Sequence, residues 1–452
     1  MQRMFSGEID QPTPAGIAAG VARLIHSGRL GVGDRLPTVR ELATQLGVSP
    51  ATVSQAWQAL GAVGLIISRG RNGTFVREQE PRRTTPRSQL AAQLTLKPRL
   101  DLSRGTPDPA LLPALGPALS RVSGRAVTPS YEDISALPEL LELLRGSWPY
   151  PVQSFTIVNG ALDALSRSLE QVTRFGDRVV VENPGFPPFF DLLDQLGLER
   201  LPVDVDENGI VPASLELALG RSPSAVILQP RAHNPTGASM TAERAEDLAA
   251  LLRGHEAIVI EDDHSGDIST APDVSLGTWM PDRVLHIRSY SKSHGPDLRI
   301  AALGGPQEII DRVVARRMLG PGWTSRMVQT ILYDLLTNEA SVAEVAEARR
   351  SYAARQKALA DALNGLGLRV RQADGINAWL PVTDEQSAIV ELAASGIRVA
   401  GGSPFFAADS GGSFIRVTAG AVPDDVLPVA EALASAALAG APGAHGLHAR
   451  WA

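Results

Sequence analysis

The chain has three lysines, at positions 97, 292 and 357. One of them stands in Ser289-Tyr290-Ser291-Lys292-Ser293-His294-Gly295-Pro296-Asp297-Leu298-Arg299. An amine flanked by hydroxyls, with a guanidinium seven residues on, has the groups needed to hold a phosphorylated aldehyde as an imine. Four further clusters carry matching chemistry. Gln229-Pro230-Arg231-Ala232-His233-Asn234-Pro235-Thr236-Gly237 follows the apolar run Ala225-Val226-Ile227-Leu228, and Glu261-Asp262-Asp263-His264 follows Ala257-Ile258-Val259-Ile260. Val158-Asn159-Gly160-Ala161 opens a helical stretch, and Glu182-Asn183-Pro184-Gly185-Phe186-Pro187 ends another apolar run.

Pyridoxal phosphate asks for such a set. Its phosphate needs helix N-terminal N–H groups and cations, supplied by Gly160, Ala161, Ser289 and Arg299. The amine of Lys292 must lose its proton to form the imine, which burial and nearby cationic charge favour. The pyridine nitrogen needs a carboxylate, either Asp262 or its neighbour Asp263. The ring face suits Phe186, and the ring oxygen suits donors such as Asn234 and His264. Singly, each motif has an ordinary explanation: Asn-Pro-Thr-Gly is a turn, paired aspartates cap helices or bind metals, and a lone lysine sits on the surface. Their shared position at strand ends carries the reading.

The elements that must position these groups are short apolar strands, 178–182, 225–228, 257–260 and 284–287, alternating with helical stretches such as 161–172 and 242–252. That alternation predicts an α/β fold with a mainly parallel sheet covered on both faces, binding its ligand beyond the carboxyl ends of the strands.

The first part of the chain reads differently. Ile17, Val21, Leu24 and Ile25 recur at helical spacing over 15–27, where Gly28 ends the pattern. Thr38 caps a helix over Val39 to Leu46, and the Gly47-Val48-Ser49 turn leads into a third helix, Pro50 to Leu60, with Ser49 as its cap. On that helix Val53, Trp57 and Leu60 form a buried face. Thr52, Ser54, Gln55 and Gln58 are left outside, hydrogen-bonding side chains suited to a major groove. Leu65 to Ser68 and Gly73 to Val76 read as two strands around Arg69-Gly70-Arg71-Asn72, a wing with two arginines at its tip.

Charge supports that division. The net charge is −7, yet residues 11–77 hold Arg23, Arg29, Arg35, Arg40, Arg69, Arg71 and Arg77 against only Asp34 and Glu41. A basic front on an acidic body predicts a module for a polyanion. The absence of cysteine excludes disulfides, thiolate metal sites and a catalytic thiol. Neither a secretory signal nor a membrane-length apolar run occurs, so a cytoplasmic protein is expected. The domains expected are 11–77 for DNA, a Pro- and Arg-rich linker at 78–100, a cofactor domain at 101–440, and a disordered tail at 441–452.

Residues 15–76 resemble the GntR-type winged helix-turn-helix, through Leu36-Pro37-Thr38-Val39-Arg40-Glu41-Leu42-Ala43, the Gly47-Val48-Ser49 turn and Gly70-Arg71-Asn72-Gly73-Thr74-Phe75-Val76. The resemblance implies that Arg40, Thr52, Arg69 and Arg71 face double-stranded DNA and that Gly73 lies at the wing tip. The remainder is similar to fold-type I aminotransferases of the class containing aspartate and kynurenine aminotransferases. By position, Lys292 matches the internal-aldimine lysine and Arg299 the phosphate-binding arginine. Asn234 matches the asparagine near the ring oxygen, Asp262 is the better match to the pyridine aspartate, and Phe186 matches the stacking aromatic. Arg416, in Ser413-Phe414-Ile415-Arg416-Val417, matches the arginine that grips a substrate α-carboxylate. His264 stands where the family commonly has a tyrosine, a departure that weighs against efficient transamination.

The combination resembles the MocR-type subfamily of GntR regulators. It implies a homodimeric transcription factor that senses pyridoxal phosphate, or an amino compound, through aldimine exchange at Lys292. Two alternatives remain: an active aminotransferase with an accessory DNA-binding-like module, and a DNA-binding protein whose pocket has lost its cofactor.

Overall fold

The computed structural model describes residue 9 and residues 12–26, 29–62, 65–70, 73–76, 98–123, 135–408 and 411–438. Arg71, most of the expected linker and the expected tail lie outside the described residues. Contacts divide the chain into two compact units, residues 1–86 with 191–199, and residues 87–190 with 200–452.

In the first unit, α1 (Pro14–His26), α2 (Val39–Leu46) and α3 (Pro50–Ala62) precede a two-stranded wing, β1 (Ile66–Ser68) and β2 (Thr74–Val76). The start of α2 is fixed by a reciprocal capping box: the Thr38 hydroxyl accepts from the Glu41 amide at 3.3 Å, and the Glu41 carboxylate accepts from the Thr38 amide at 2.8 Å. Its end is fixed by Gly47, whose φ of 67° is a left-handed value that favours glycine. Ser49 caps α3 by accepting from the Thr52 amide at 3.1 Å. One apolar cluster joins Ile17, Val21 and Leu24 of α1, Leu42 of α2, and Val53, Trp57 and Leu60 of α3 to Ile66 and Val76 of the wing. Burying each such side chain contributes about 1.5–3 kcal/mol, which is what holds so small a unit together. The strands pair antiparallel, Ile66 with Val76 and Ser68 with Thr74.

The second unit begins with β3 (Leu100–Asp101) and contains an eight-stranded sheet. Its strands are β4 (Ser154–Val158), β5 (Arg178–Asn183), β6 (Glu199–Asp206), β7 (Gly209–Ile210), β8 (Ala225–Leu228), β9 (Ile258–Asp263), β10 (Val284–Ser289) and β11 (Ala301–Gly305), ordered β4-β11-β10-β9-β8-β5-β6-β7. The centre, β5, β8, β9 and β10, is parallel as expected, whereas β11 runs antiparallel to both its neighbours. Two strands are longer than their apolar runs: β9 includes Glu261, Asp262 and Asp263, and β10 includes Ser289. The polar residues thus extend the ladder instead of ending it, and each gains a partner from the neighbouring strand or loop.

Helices α4 (Ala161–Val172) and α5 (Ala242–Leu252) lie on this sheet. The 27-residue α6 (Glu339–Gly365) leads to a smaller antiparallel sheet, β12 (Ala378–Val382), β15 (Ser413–Val417) and β14 (Ala400–Gly401), while β13 (Ile397–Arg398) pairs with β3. A second apolar cluster fills this part, with Leu380, Val382, Ile415 and Val417 from the strands and Leu359 and Leu363 from α6. Among the described residues no helix is long and apolar enough to cross a membrane.

Candidate functional site

Strand register explains why the groups expected together meet. Leu228 of β8 lies beside Glu261 of β9, and Ile287 of β10 lies beside Asp262. The residue after Leu228 therefore reaches the level of Asp262. That residue is Gln229, whose Nε2 donates to Asp262 Oδ2 at 2.8 Å and whose Oε1 accepts from the Asn234 amide at 2.8 Å. Glu182, at the end of β5, accepts from the Gln229 amide at 3.0 Å. One glutamine side chain thus ties the β9 carboxylate to the Asn-Pro-Thr-Gly loop. Sequence reading missed it, since a glutamine at the end of an apolar run gives no local signal of its partners.

The two aspartates separate clearly. Asp263 is held by Arg231 in a two-pronged pair, at 3.0 and 2.7 Å, and also accepts from the Gly266 amide at 3.1 Å. Burial alone would raise its pKa, but the Arg231 charge and hydrogen bonds outweigh that and lower it. Asp262 is buried too, but among the described residues its Oδ1 has no partner. Desolvation, against the Gln229 hydrogen bond and reinforced by Asp263 and Glu182, pushes its pKa up to about 7.

Lys292 Nζ donates to the carbonyl oxygen of Gly105 at 2.5 Å. Its pKa falls to about 8, first through desolvation and then through the Arg416 charge, against the pull of Asp262. Arg416 is buried at 5% exposure; Nη1 donates to Asn234 Oδ1 at 3.4 Å, Nη2 to the Ser103 carbonyl, and Nε has no partner. Among the described residues no carboxylate pairs with it, and desolvation lowers its pKa to about 10. A buried guanidinium without a carboxylate is costly unless a ligand supplies one.

At the other end, the guanidinium of Arg299 lies over the start of α4. Its Nη2 donates to the Asn159 carbonyl at 3.3 Å and stands 3.2 Å from where a side chain on Gly160 would begin. Gly160 has a φ of 96° and no side-chain cap closes the helix there, so the first-turn N–H groups at Ala161 and beyond are open to an anion. Ser289 is buried, its Oγ accepting from the Ser291 amide at 3.3 Å. His264 follows Asp263; desolvation, then the Lys292 charge, lower its pKa to about 3, so its ring is neutral, with Nδ1 unpartnered. Phe186 is half-buried and meets Phe189 edge-on, ring centroids 5.3 Å apart.

On the first unit, Arg40, Gln55 and Arg69 are exposed, and Ser54 and Thr52 are half-buried. The Thr52 hydroxyl is 2.8 Å from that of Ser49, so it already serves the cap of α3. Arg69 lies over the Phe75 ring, 5.4 Å from its centroid.

These geometries agree with comparisons to known proteins. Residues 98–433 match the family of class I and II aminotransferases, and residues 14–76 match the bacterial regulatory proteins of the gntR family. The chain is 38% identical to the vitamin B6 salvage pathway transcriptional repressor PtsJ of Salmonella typhimurium, over 88% of this chain and 92% of that protein. It is 28% identical to the pyridoxine biosynthesis transcriptional regulator PdxR of Corynebacterium glutamicum, over 86% of this chain and 88% of that one. Among solved structures, Pyrococcus horikoshii kynurenine aminotransferase matches with a TM-score of 0.69 at 21% identity, covering 77% of this chain and 92% of that one. LysN, the α-aminoadipate aminotransferase of Thermus thermophilus, matches with a TM-score of 0.67 at 22% identity, covering 75% and 92%. Likeness at that identity carries the fold alone. The chain belongs to the class I and II aminotransferase family and, with a gntR-family domain ahead of that fold, to the MocR-type regulators.

Proposed function

We propose that the protein is a DNA-binding transcriptional regulator whose aminotransferase-like part holds pyridoxal phosphate at Lys292 and responds to the cofactor itself or to an amino compound bound with it. The observation that carries this reading is a buried cluster whose groups, among the described residues, lack part of their complement: an amine bonded to a backbone carbonyl alone, a carboxylate oxygen with no donor, and a guanidinium with no carboxylate. The donor set fits the cofactor. Lys292 would bond the aldehyde, Asp262 Oδ1 would take the pyridine N–H, and Asn234 and His264 would donate to the ring oxygen. Phe186 would cover the ring, and Gly160, Ala161, Ser289 and Arg299 would hold the phosphate. When bound, the cofactor supplies an electron-poor ring able to exchange one amine for another.

The chain's own residues then set what enters. Arg416 would orient a ligand by its carboxylate, with a two-pronged grip that a lysine could not reproduce. Asp262, raised toward neutrality by its burial, would ionise against a protonated ring nitrogen. Neutral His264 beside Lys292 adds no charge to oppose either step. The first unit would engage a double-stranded operator through α3 and the wing, with Ser54 and Gln55 toward bases and Arg40, Arg69 and Arg71 toward phosphates.

A homodimer is part of the reading. The helix over 115–122 packs on the helix over 326–337 through Ala118, Val122, Ile331 and Leu335, while Leu119 and Met327 of the same pair are 52% and 53% exposed. A second copy is the occupant proposed for these exposed apolar side chains.

The test joins both halves. Purified protein is titrated with pyridoxal phosphate while visible absorbance is read, and binding to its own upstream DNA is measured with and without cofactor and amines. A visible band lost in Lys292→Ala, together with DNA affinity that changes with pocket occupancy, is expected. DNA affinity indifferent to cofactor and to Lys292→Ala overturns the proposal. Rapid multiple turnover with a keto acid and no DNA binding favours the aminotransferase alternative.

A further inference from the structure

Next to Arg416 lies a second unsatisfied group that the reading above leaves unused. Asn377, just before β12, is 3% exposed, and among the described residues its Oδ1 has no hydrogen-bond partner. Its backbone is fixed, because the Asn377 carbonyl accepts from Gln356 Nε2 of α6 at 2.8 Å. The pairing of Ala378 with Val417, and of Trp379 with Arg416, keeps Asn377 level with the end of β15. Gly105 brings the two side chains to a common point: a Cβ on that glycine would stand 2.9 Å from Arg416 Nη1 and 3.1 Å from Asn377 Oδ1. Gly105 is itself pinned, its amide donating to Thr418 Oγ1 at 2.8 Å and its carbonyl accepting from Lys292. Among the described residues the pocket thus ends in a guanidinium that lacks a carboxylate and, beside it, a buried amide oxygen that lacks a donor.

A buried acceptor without a donor bears the full desolvation cost of the group. The ligand that relieves both vacancies at once carries a carboxylate and, within a few bonds of it, a hydrogen-bond donor. We propose that Asn377 is a specificity-determining residue of this pocket, selecting amino-acid ligands whose side chain presents a donor close to the carboxylate over apolar ligands of the same size. The proposal deepens the functional reading above and rests on it. Discrimination of this kind is steep because a methyl group in place of the donor leaves the Asn377 oxygen both desolvated and unpaired.

The test uses the full chain loaded with pyridoxal phosphate and two probes of equal size, L-serine and L-2-aminobutyrate, in which a methyl replaces the hydroxyl. Binding is read from the change in visible absorbance. Serine is expected to bind about five- to tenfold more tightly than 2-aminobutyrate. Asn377→Leu is expected to abolish the preference, and Asn377→Thr, which keeps an acceptor, to retain part of it. Equal binding of the two probes by the unsubstituted protein overturns the proposal without recourse to any variant. Uniform weakening of both probes in Asn377→Leu, with their ranking preserved, also overturns it, because Asn377 would then act only by holding Arg416. A protein that gives no visible band with the cofactor overturns the functional reading as well. One that gives the band and responds to amines, yet ranks the probes alike, overturns this inference alone.

Discussion

Gly105 accepts the hydrogen bond of Lys292 Nζ at 2.5 Å, and a side chain on it would begin 2.9 Å from Arg416 Nη1. Its φ of 60° lies in the left-handed region, so the backbone conformation and the crowding both call for glycine. Gly105→Ala is expected to lower stability by about 1–2 kcal/mol. It should also abolish the response to carboxylate ligands while cofactor capture at Lys292 persists. Chemical denaturation and absorbance titration check the two halves separately.

The amine of Lys292 must be neutral to attack an aldehyde, and desolvation followed by the Arg416 charge brings its pKa down to about 8. The rate of cofactor capture should therefore rise with pH through about 8 and level off above it. Arg416→Met removes the second cause, so its midpoint should move to higher pH. Stopped-flow absorbance across a pH series reads both.

Asp262 carries the opposite kind of shift. Its folded pKa, raised to about 7 from the ordinary aspartate value of 3.8, means that the folded cofactor-free protein binds a proton that the unfolded chain releases between those values. Stability from this group is therefore full below about 4 and falls as pH rises toward 7. Asp262→Asn should remove that fall, leaving the variant more stable than the parent at pH 8 and similar to it in acid, while weakening cofactor binding. Thermal unfolding of the cofactor-free proteins at several pH values provides the measurement.

Asp263→Asn should behave differently, although the two residues are adjacent. It breaks the buried two-pronged pair with Arg231 and leaves that guanidinium the longer contact with Asp273 at 3.5 Å, at a cost of about 3 kcal/mol. Denaturant midpoints of the two variants, compared without cofactor, should move in different directions at neutral pH.

For DNA, Arg40→Ala should weaken binding across all sequences and reduce the salt slope by about 0.9. Gln55→Ala should instead relax preference among operator variants. Titrations at several salt concentrations distinguish a phosphate contact from a base contact.

Much of this site was legible in the sequence because its parts sit where local pattern is strong. Lys292, Asp262 and Asn234 stand at or just beyond the ends of short apolar strands, and parallel β8, β9 and β10 bring those ends together. The helix-turn-helix was equally legible, since Thr38, Gly47 and Ser49 announce helix boundaries. Gly105 and Asn377 were not: their significance arises from contacts with residues hundreds of positions away, across a fold whose pairing no local periodicity encodes. Nor does an apolar pentapeptide such as Ala301–Gly305 declare its direction, which is why the antiparallel β11, second from one edge of the sheet, came only with the structure.

Strand β9 bears three acids in succession, and alternation sends Asp262 to one side of the sheet and Glu261 and Asp263 to the other. Glu261 is satisfied by Ser275, His286 and the Leu276 amide, and Asp263 by Arg231. A slip of that strand by a single residue would turn Glu261 or Asp263 toward the pocket and carry Asp262 to the reverse face, breaking every one of those pairings. The chemistry of the pocket is therefore guarded by the counter-ions on the reverse face, which lock the ladder in the one alignment where a carboxylate is left to spare.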